Sequence, residues 1–89
     1  RLDAFDHDPD SGRLRGRRPL VSIPAEVGIP DGLAVDADGC VWLAIWGAGA
    51  IHRYTPAGVL DGVLDVPADN VTSCAFGGTG LTELFTIEA

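Results

Sequence analysis

The sequence has no methionine, only two cysteines and six aromatic residues, and no run approaching the roughly 18 consecutive apolar residues that a membrane helix needs. Each shortage excludes something. Cys40 and Cys74 stand 34 residues apart with no C-x-x-C spacing, so neither a disulfide framework nor a structural zinc site is encoded. Both read as reduced thiols, Cys74 within a buried strand. The chain opens Arg1-Leu2-Asp3, without the basic and apolar regions of a secretory leader. Reduced cysteines and no leader lead us to expect a cytoplasmic setting. The absence of an initiator methionine, and strand patterns at both ends, lead us to expect a segment of something longer. Positive charge is also scarce. Six basic residues face thirteen acidic ones, a net charge of −7, so phosphate backbones and anionic membranes are poor partners. Arg13, Arg15, Arg17 and Arg18 form the one basic cluster, and the alternation of the first three suits the solvated face of an outer strand.

What is present is 46% hydrophobic, with twelve glycines and six prolines spread singly among apolar runs. That is the usage of many short strands joined by tight turns. No segment carries a helical period. Strand patterns are predicted over Leu2 to His7, Arg13 to Ile23, Gly32 to Val35, Cys40 to Trp46, Ala50 to Tyr54, Val59 to Val66, Thr72 to Phe76 and Leu81 to Ile87. The turns fall at Asp8-Pro9-Asp10-Ser11-Gly12, Ala37-Asp38-Gly39, Gly47-Ala48-Gly49, Pro56-Ala57-Gly58 and Gly77-Gly78-Thr79-Gly80, with Pro24 to Pro30 a loop. Strands at roughly ten-residue spacing suit a sandwich, a barrel or a propeller.

An internal repeat favours the propeller. Leu2-Asp3-Ala4-Phe5 before Pro9 resembles Ile51-His52-Arg53-Tyr54 before Pro56, and Tyr54 follows Phe5 by 49 residues. Four-stranded propeller blades repeat at about 40 to 50 residues. The fold class expected is therefore all-β, a partial six-bladed β-propeller with one complete four-stranded blade and two half blades. Residues 1–23 supply the outer strands of one blade, 30–66 a full blade, and 72–87 the inner strands of the next. A single such piece leaves apolar faces and strand edges open, so alone it should be marginal or prone to aggregate.

The segment Pro30-Asp31-Gly32-Leu33-Ala34-Val35-Asp36-Ala37-Asp38-Gly39-Cys40-Val41-Trp42-Leu43-Ala44 carries chemistry as well as fold. Together with Asp3 to Asp8, Gly49 to Gly58 and Thr72 to Gly78, it resembles the family that holds gluconolactonase, regucalcin and the luciferin-regenerating enzyme. The resemblance implies one divalent metal ion in a central channel, held by a Glu, an Asn and the Asp of the P-D-G motif. Only the last has a counterpart here, Asp31. The ion implied is calcium, zinc, magnesium or manganese. The partner implied is a small-molecule lactone, with no nucleic acid and no membrane. The function implied for the intact protein is sugar-lactone hydrolysis, with Asp31 as metal ligand and catalytic residue. The alternatives are a calcium-binding regulatory propeller without turnover, or an inactive truncated product.

Asp31 has a plainer reading from the residues themselves, a Pro-Asp-Gly turn in which the carboxylate bonds its own backbone. Against it stands the suitability of a carboxylate as a hard oxygen ligand, with Pro30 fixing the approach and Gly32 permitting close passage. Asp36 and Asp38 resemble a calcium loop only slightly, and a hairpin turn explains them better. Asp6, His7, Asp8 and Asp10 read as a solvated loop. His7 and His52, at nearly matching repeat positions on outer strands, are poor catalytic candidates. Ser73 lacks a nucleophile elbow, though Thr72 and Ser73 open an inner strand and are channel candidates. Trp42, Trp46 and Phe76 read as packing between blades, with Trp46 an alternative channel-rim residue.

Overall fold

The structure is a computed structural model that describes residues 1–67 and 70–88. Residues 68 and 69, in the link between the predicted 30–66 and 72–87 segments, lie outside the described residues. The chain is all-β. Its strands are β1 (Leu2–His7), β2 (Leu14–Val21), β3 (Ile29–Val35), β4 (Val41–Trp46), β5 (Ala50–Tyr54), β6 (Leu60–Asp65), β7 (Val71–Gly77) and β8 (Glu83–Glu88), with one 3-10 turn at Thr79–Leu81 before β8. Every pairing is antiparallel. The strands form three sheets: the hairpin β1-β2, the four-stranded sheet β3-β4-β5-β6 and the hairpin β7-β8.

The stacking of these sheets follows from the alternation along β4. Side chains of successive strand residues point to opposite faces. Leu43 and Ile45 therefore leave on one face, where they pack with Tyr54 of β5 and Val21 of β2, edged by Leu2, Leu20 and Ile23. Ala44 leaves on the other, where it meets Ile51 of β5 and Val71 and Cys74 of β7, with Ala34, Trp42, Val66 and Leu84 beside them. The central sheet is thus covered by β1-β2 on one face and by β7-β8 on the other. At about 25 cal/mol per Å2 of apolar surface, these two interfaces are the main source of cohesion, since among the described residues no polar or charged one is buried.

The hydrogen bonds of the turns correct the repeat register. The Asp8 amide donates to the Arg13 carbonyl at 2.9 Å and the Thr55 amide to the Val59 carbonyl at 2.8 Å. Asp8 and Thr55 hold the same place, 47 residues apart. His7 then corresponds to Tyr54 and Phe5 to His52, so the two histidines do not match. Aromatic spacing misled here because Tyr54 adjoins the turn residue Thr55 while Phe5 lies three residues before Asp8, so the two rings do not hold the same place. The inner strands repeat as well. In β3 the register passes from Pro30↔Ile45 to Leu33↔Leu43, so Asp31 and Gly32 together oppose Ala44. In β7 it passes from Val71↔Glu88 to Ser73↔Ile87, leaving Thr72 as the extra residue. The bulges coincide, with Asp31 corresponding to Thr72 and Gly32 to Ser73.

Candidate functional site around Asp31 and the Asp36 hub

The β3 strand begins three residues before its predicted start, and this changes the setting of Asp31. Ile29 and Pro30, expected in a loop, belong to the strand. Pro30 is tolerated because β3 is an edge strand with one side free of partners. Asp31 sits in the two-against-one bulge, exposed. Bulges re-aim a side chain relative to the regular pleat. Asp31 is not in a turn, and no side-chain hydrogen bond or ion pair engages it among the described residues. The carboxylates that cap their own turns are Asp8, which accepts from the Asp10 amide at 3.0 Å, and Asp36.

Gly32 is required by a neighbour. A Cβ there would meet Ser73 Oγ, lie 2.6 Å from Ser73 Cβ and lie 2.8 Å from the Thr72 carbonyl oxygen. The Pro-Asp-Gly signature thus lets β3 press against β7. It brings Asp31, Thr72 and Ser73 to one region where β3 and β7 meet. Thr72 spends its hydroxyl on the Ile87 carbonyl at 3.2 Å. Trp46 ends β4, paired with Ile29 and partly exposed. Among the described residues, no three His, Cys, Asp or Glu side chains converge closely enough to hold a metal ion. A carboxylate such as that of Asp31 is a donor of the kind a hard cation takes.

The sequence reading missed the electrostatic centre of the molecule. Asp36 follows β3 and gathers five donors. Its Oδ1 accepts from the amides of Asp38 at 3.0 Å and Cys40 at 2.9 Å. Its Oδ2 accepts from Trp42 Nε1 at 2.9 Å, from Arg53 Nε at 3.1 Å and from the Arg53 guanidinium nitrogen at 3.0 Å. The Trp42 indole hydrogen bond, ahead of the Cys40 amide and Arg53, outweighs desolvation and holds the Asp36 carboxyl at about 2. Arg53 also bonds Asp61, approaches Asp38 at 3.6 Å and lies over the Trp42 ring at 5.7 Å. Its pKa is raised, chiefly by Asp36. Trp42 passes the contact on, edge to face, to Phe76 of β7 at 5.8 Å. Asp36 and Arg53 are 17 residues apart, and only the Trp42↔Arg53 register of β4 and β5 brings them together. That register was the missing signal.

The remaining titratable candidates are structural. His52 Nδ1 lies 3.0 Å from the Tyr54 hydroxyl, and burial lowers the imidazole pKa. Asp6, His7, Asp8 and Asp10 are exposed. Cys40 and Cys74 are free and buried, and desolvation raises both thiol pKa values.

A stack of short antiparallel sheets is the architecture that the comparisons match. The family described as SMP-30/Gluconolactonase/LRE-like region matches residues 1–89, and the chain belongs to that family. Regucalcin from Xenopus laevis is 36% identical over 90 residues, covering 100% of this chain and 30% of the relative. Human regucalcin is 36% identical over 85 residues, 94% of this chain and 28% of the relative. Among solved structures, luciferin-regenerating enzyme superposes with a TM-score of 0.90 at 34% identity, over 98% of this chain and 30% of that one. A regucalcin from Agrobacterium tumefaciens, described as a calcium-binding protein, gives 0.89 at 31%, over 97% and 30%. A gluconolactonase from Xanthomonas campestris gives 0.76 at 28%, over 98% and 27%. The chain therefore spans about 30% of the length of the relatives it matches. Among the described residues no helix is long and apolar enough to cross a membrane.

Proposed function

We propose that this chain is the part of a six-bladed β-propeller that contributes one ligand, Asp31, to a divalent-metal site for sugar-lactone hydrolysis in a cytoplasmic setting. In this reading residues 30–66 are a full blade, and 1–23 and 72–87 are outer and inner half blades. The observation that carries it is the placement of Asp31: an exposed carboxylate without internal partners, in a bulge on the edge strand that closes against β7. The gluconolactonase and regucalcin relatives support the lactonase-like class.

A bound cation would supply Lewis acidity toward a lactone carbonyl and acidify a water. Asp31 would hold that cation through a carboxylate oxygen, and Gly32 would fix the distance of β3 from β7 and so the depth of the site. Thr72, at the corresponding bulge of β7, would present no charge to it. The Asp36 hub would stay outside the chemistry and hold the β3-β4 turn rigid. The Agrobacterium relative described as calcium-binding favours calcium as the ion, and it also supports the second reading, cation binding without turnover.

The test is Asp31→Ala in the family-length protein. We expect loss of calorimetrically measured binding of calcium, zinc, magnesium and manganese and loss of gluconolactone hydrolysis. The circular dichroism spectrum and Tm should be unchanged, because the carboxylate supports no contact within the fold. Retained turnover would remove Asp31 from the site. Loss of cation binding in a protein that never hydrolysed lactones would select the second reading. The 89-residue chain, with one ligand, should hydrolyse no lactone.

A further inference from the structure

Thr72, Ser73 and Cys74 of β7 each carry a hydroxyl or a thiol, and the fold does not use them alike. Thr72 donates its hydroxyl to the Ile87 carbonyl at 3.2 Å, and Cys74 donates its thiol to the Trp42 carbonyl at 3.3 Å. Ser73 stands between them. It is half-buried, and among the described residues its hydroxyl bonds no protein group. A serine hydroxyl is donor and acceptor at once. Partly withdrawn from water and unpaired, it calls for a partner that is a ligand or an ordered water.

The bulge of β7 decides where that hydroxyl lies. Cys74 packs on the central sheet, so regular alternation would set Ser73 on the opposite face with Ala75. The register shift between Val71 and Ser73 breaks the alternation. Ser73 lies instead against Gly32 of β3, where a Cβ on the glycine would stand 2.6 Å from Ser73 Cβ. Re-aiming a side chain is what bulges do. Gly32 shares the bulge of β3 with Asp31. The absent side chain at position 32 therefore leaves room for one hydroxyl next to the residue that bears the carboxylate.

We propose that Ser73 is a substrate-contacting residue of the Asp31 site, whose hydroxyl bonds a hydroxyl group of a polyhydroxylated lactone and so separates sugar lactones from unsubstituted ones. The inference rests on the cation site and the reaction given under the proposed function. A cation acts on the ester carbonyl, which every lactone carries, and so does not tell one ring from another. A neutral hydroxyl held out to the ring does. A site built to bond a substrate hydroxyl penalises the analogue that lacks it, because the protein group is then left unpaired. Thr72 is already committed to Ile87, and Cys74 is buried at 3% exposure.

The test is made on the family-length protein with gluconolactone and with δ-valerolactone, which has the same six-membered ring ester and no hydroxyl group. Ser73→Ala should lower kcat/KM for gluconolactone about tenfold, mainly through KM, and change that for δ-valerolactone by less than about twofold. Equal losses on both lactones would mark a merely structural role and overturn the proposal, and so would no change on either. Calcium affinity by calorimetry should be the same in Ser73→Ala. A weakened affinity would place the hydroxyl on the cation and overturn its assignment to the substrate. Asp31→Ala separates the two readings. If it abolishes turnover while Ser73→Ala affects both lactones alike, the cation site stands and the Ser73 contact falls. If turnover survives it while Ser73→Ala still loses gluconolactone selectively, the cation site falls and the contact stands. A family-length protein that hydrolysed neither lactone would overturn both.

Discussion

At the scale of single residues, Asp36 is the group on which pH acts most directly. Its carboxyl lies at about 2 in the fold against an ordinary 3.8, because the Trp42 indole, the Cys40 amide and Arg53 all favour the charged form. A depressed carboxyl pKa gives stability that is complete above the unfolded value and lost as pH falls through the folded one. Tm should therefore fall between about pH 4 and pH 2, and Asp36→Asn should lower Tm at neutral pH and flatten that acidic limb. A variant whose Tm still fell as steeply between those values would put the acid sensitivity elsewhere. His52 is separable, since burial lowers its pKa from 6.5 and its effect on stability would enter near that higher value. None of this was legible in the sequence. Asp36-Ala37-Asp38-Gly39 reads correctly as a turn, and the Asx pattern of its first carboxylate is local. The half of the hub made by Arg53 depends on strand register, which no local pattern states. Asp31 presents the opposite case. Its residue type and motif were legible, but its position in a bulge rather than a turn was not, because a Pro-Asp-Gly string fits either.

At the scale of strands, Gly32 sets how closely β3 and β7 approach. Gly32→Ala places a methyl against Ser73 and the Thr72 carbonyl, the latter at 2.8 Å. Overpacking of this kind costs about 1–3 kcal/mol, so chemical denaturation should show a midpoint shift of that order. Adding Ser73→Gly removes the side-chain obstacle but not the backbone one and should restore part of the loss. Full stability in the single variant would show that β3 and β7 are not pressed together. Two strands announced themselves clearly. Val41 to Trp46 is apolar throughout, Ala50 to Tyr54 begins on Ala50 and Ile51 and ends on Tyr54, and their link is a short glycine-containing hairpin. The edges of the molecule were harder. β3 starts early because an edge strand accepts proline. The stretch from Thr79 to Leu81 folds as a 3-10 turn with Leu81 at φ 55, where a plain glycine turn into a strand was expected. A repeat judged by aromatic spacing slipped by two residues because the aromatic does not recur at one place on the strand: His52, not Tyr54, corresponds to Phe5.

At the scale of the whole molecule, stability should grade outward from one sheet. β4 and β5 are flanked by strands on both sides and covered on both faces, and Leu43, Ala44, Ile45 and Ile51 are at most 1% exposed. Among the described residues, β1-β2 and β7-β8 each rest on the central sheet by one face. Local opening costs least where few buried contacts hold an element. Amide hydrogen exchange should therefore leave β4 and β5 slowest, with β8 and β1 exchanging early. A pattern in which β6 outlasted β4 would contradict the central place given to the four-stranded sheet.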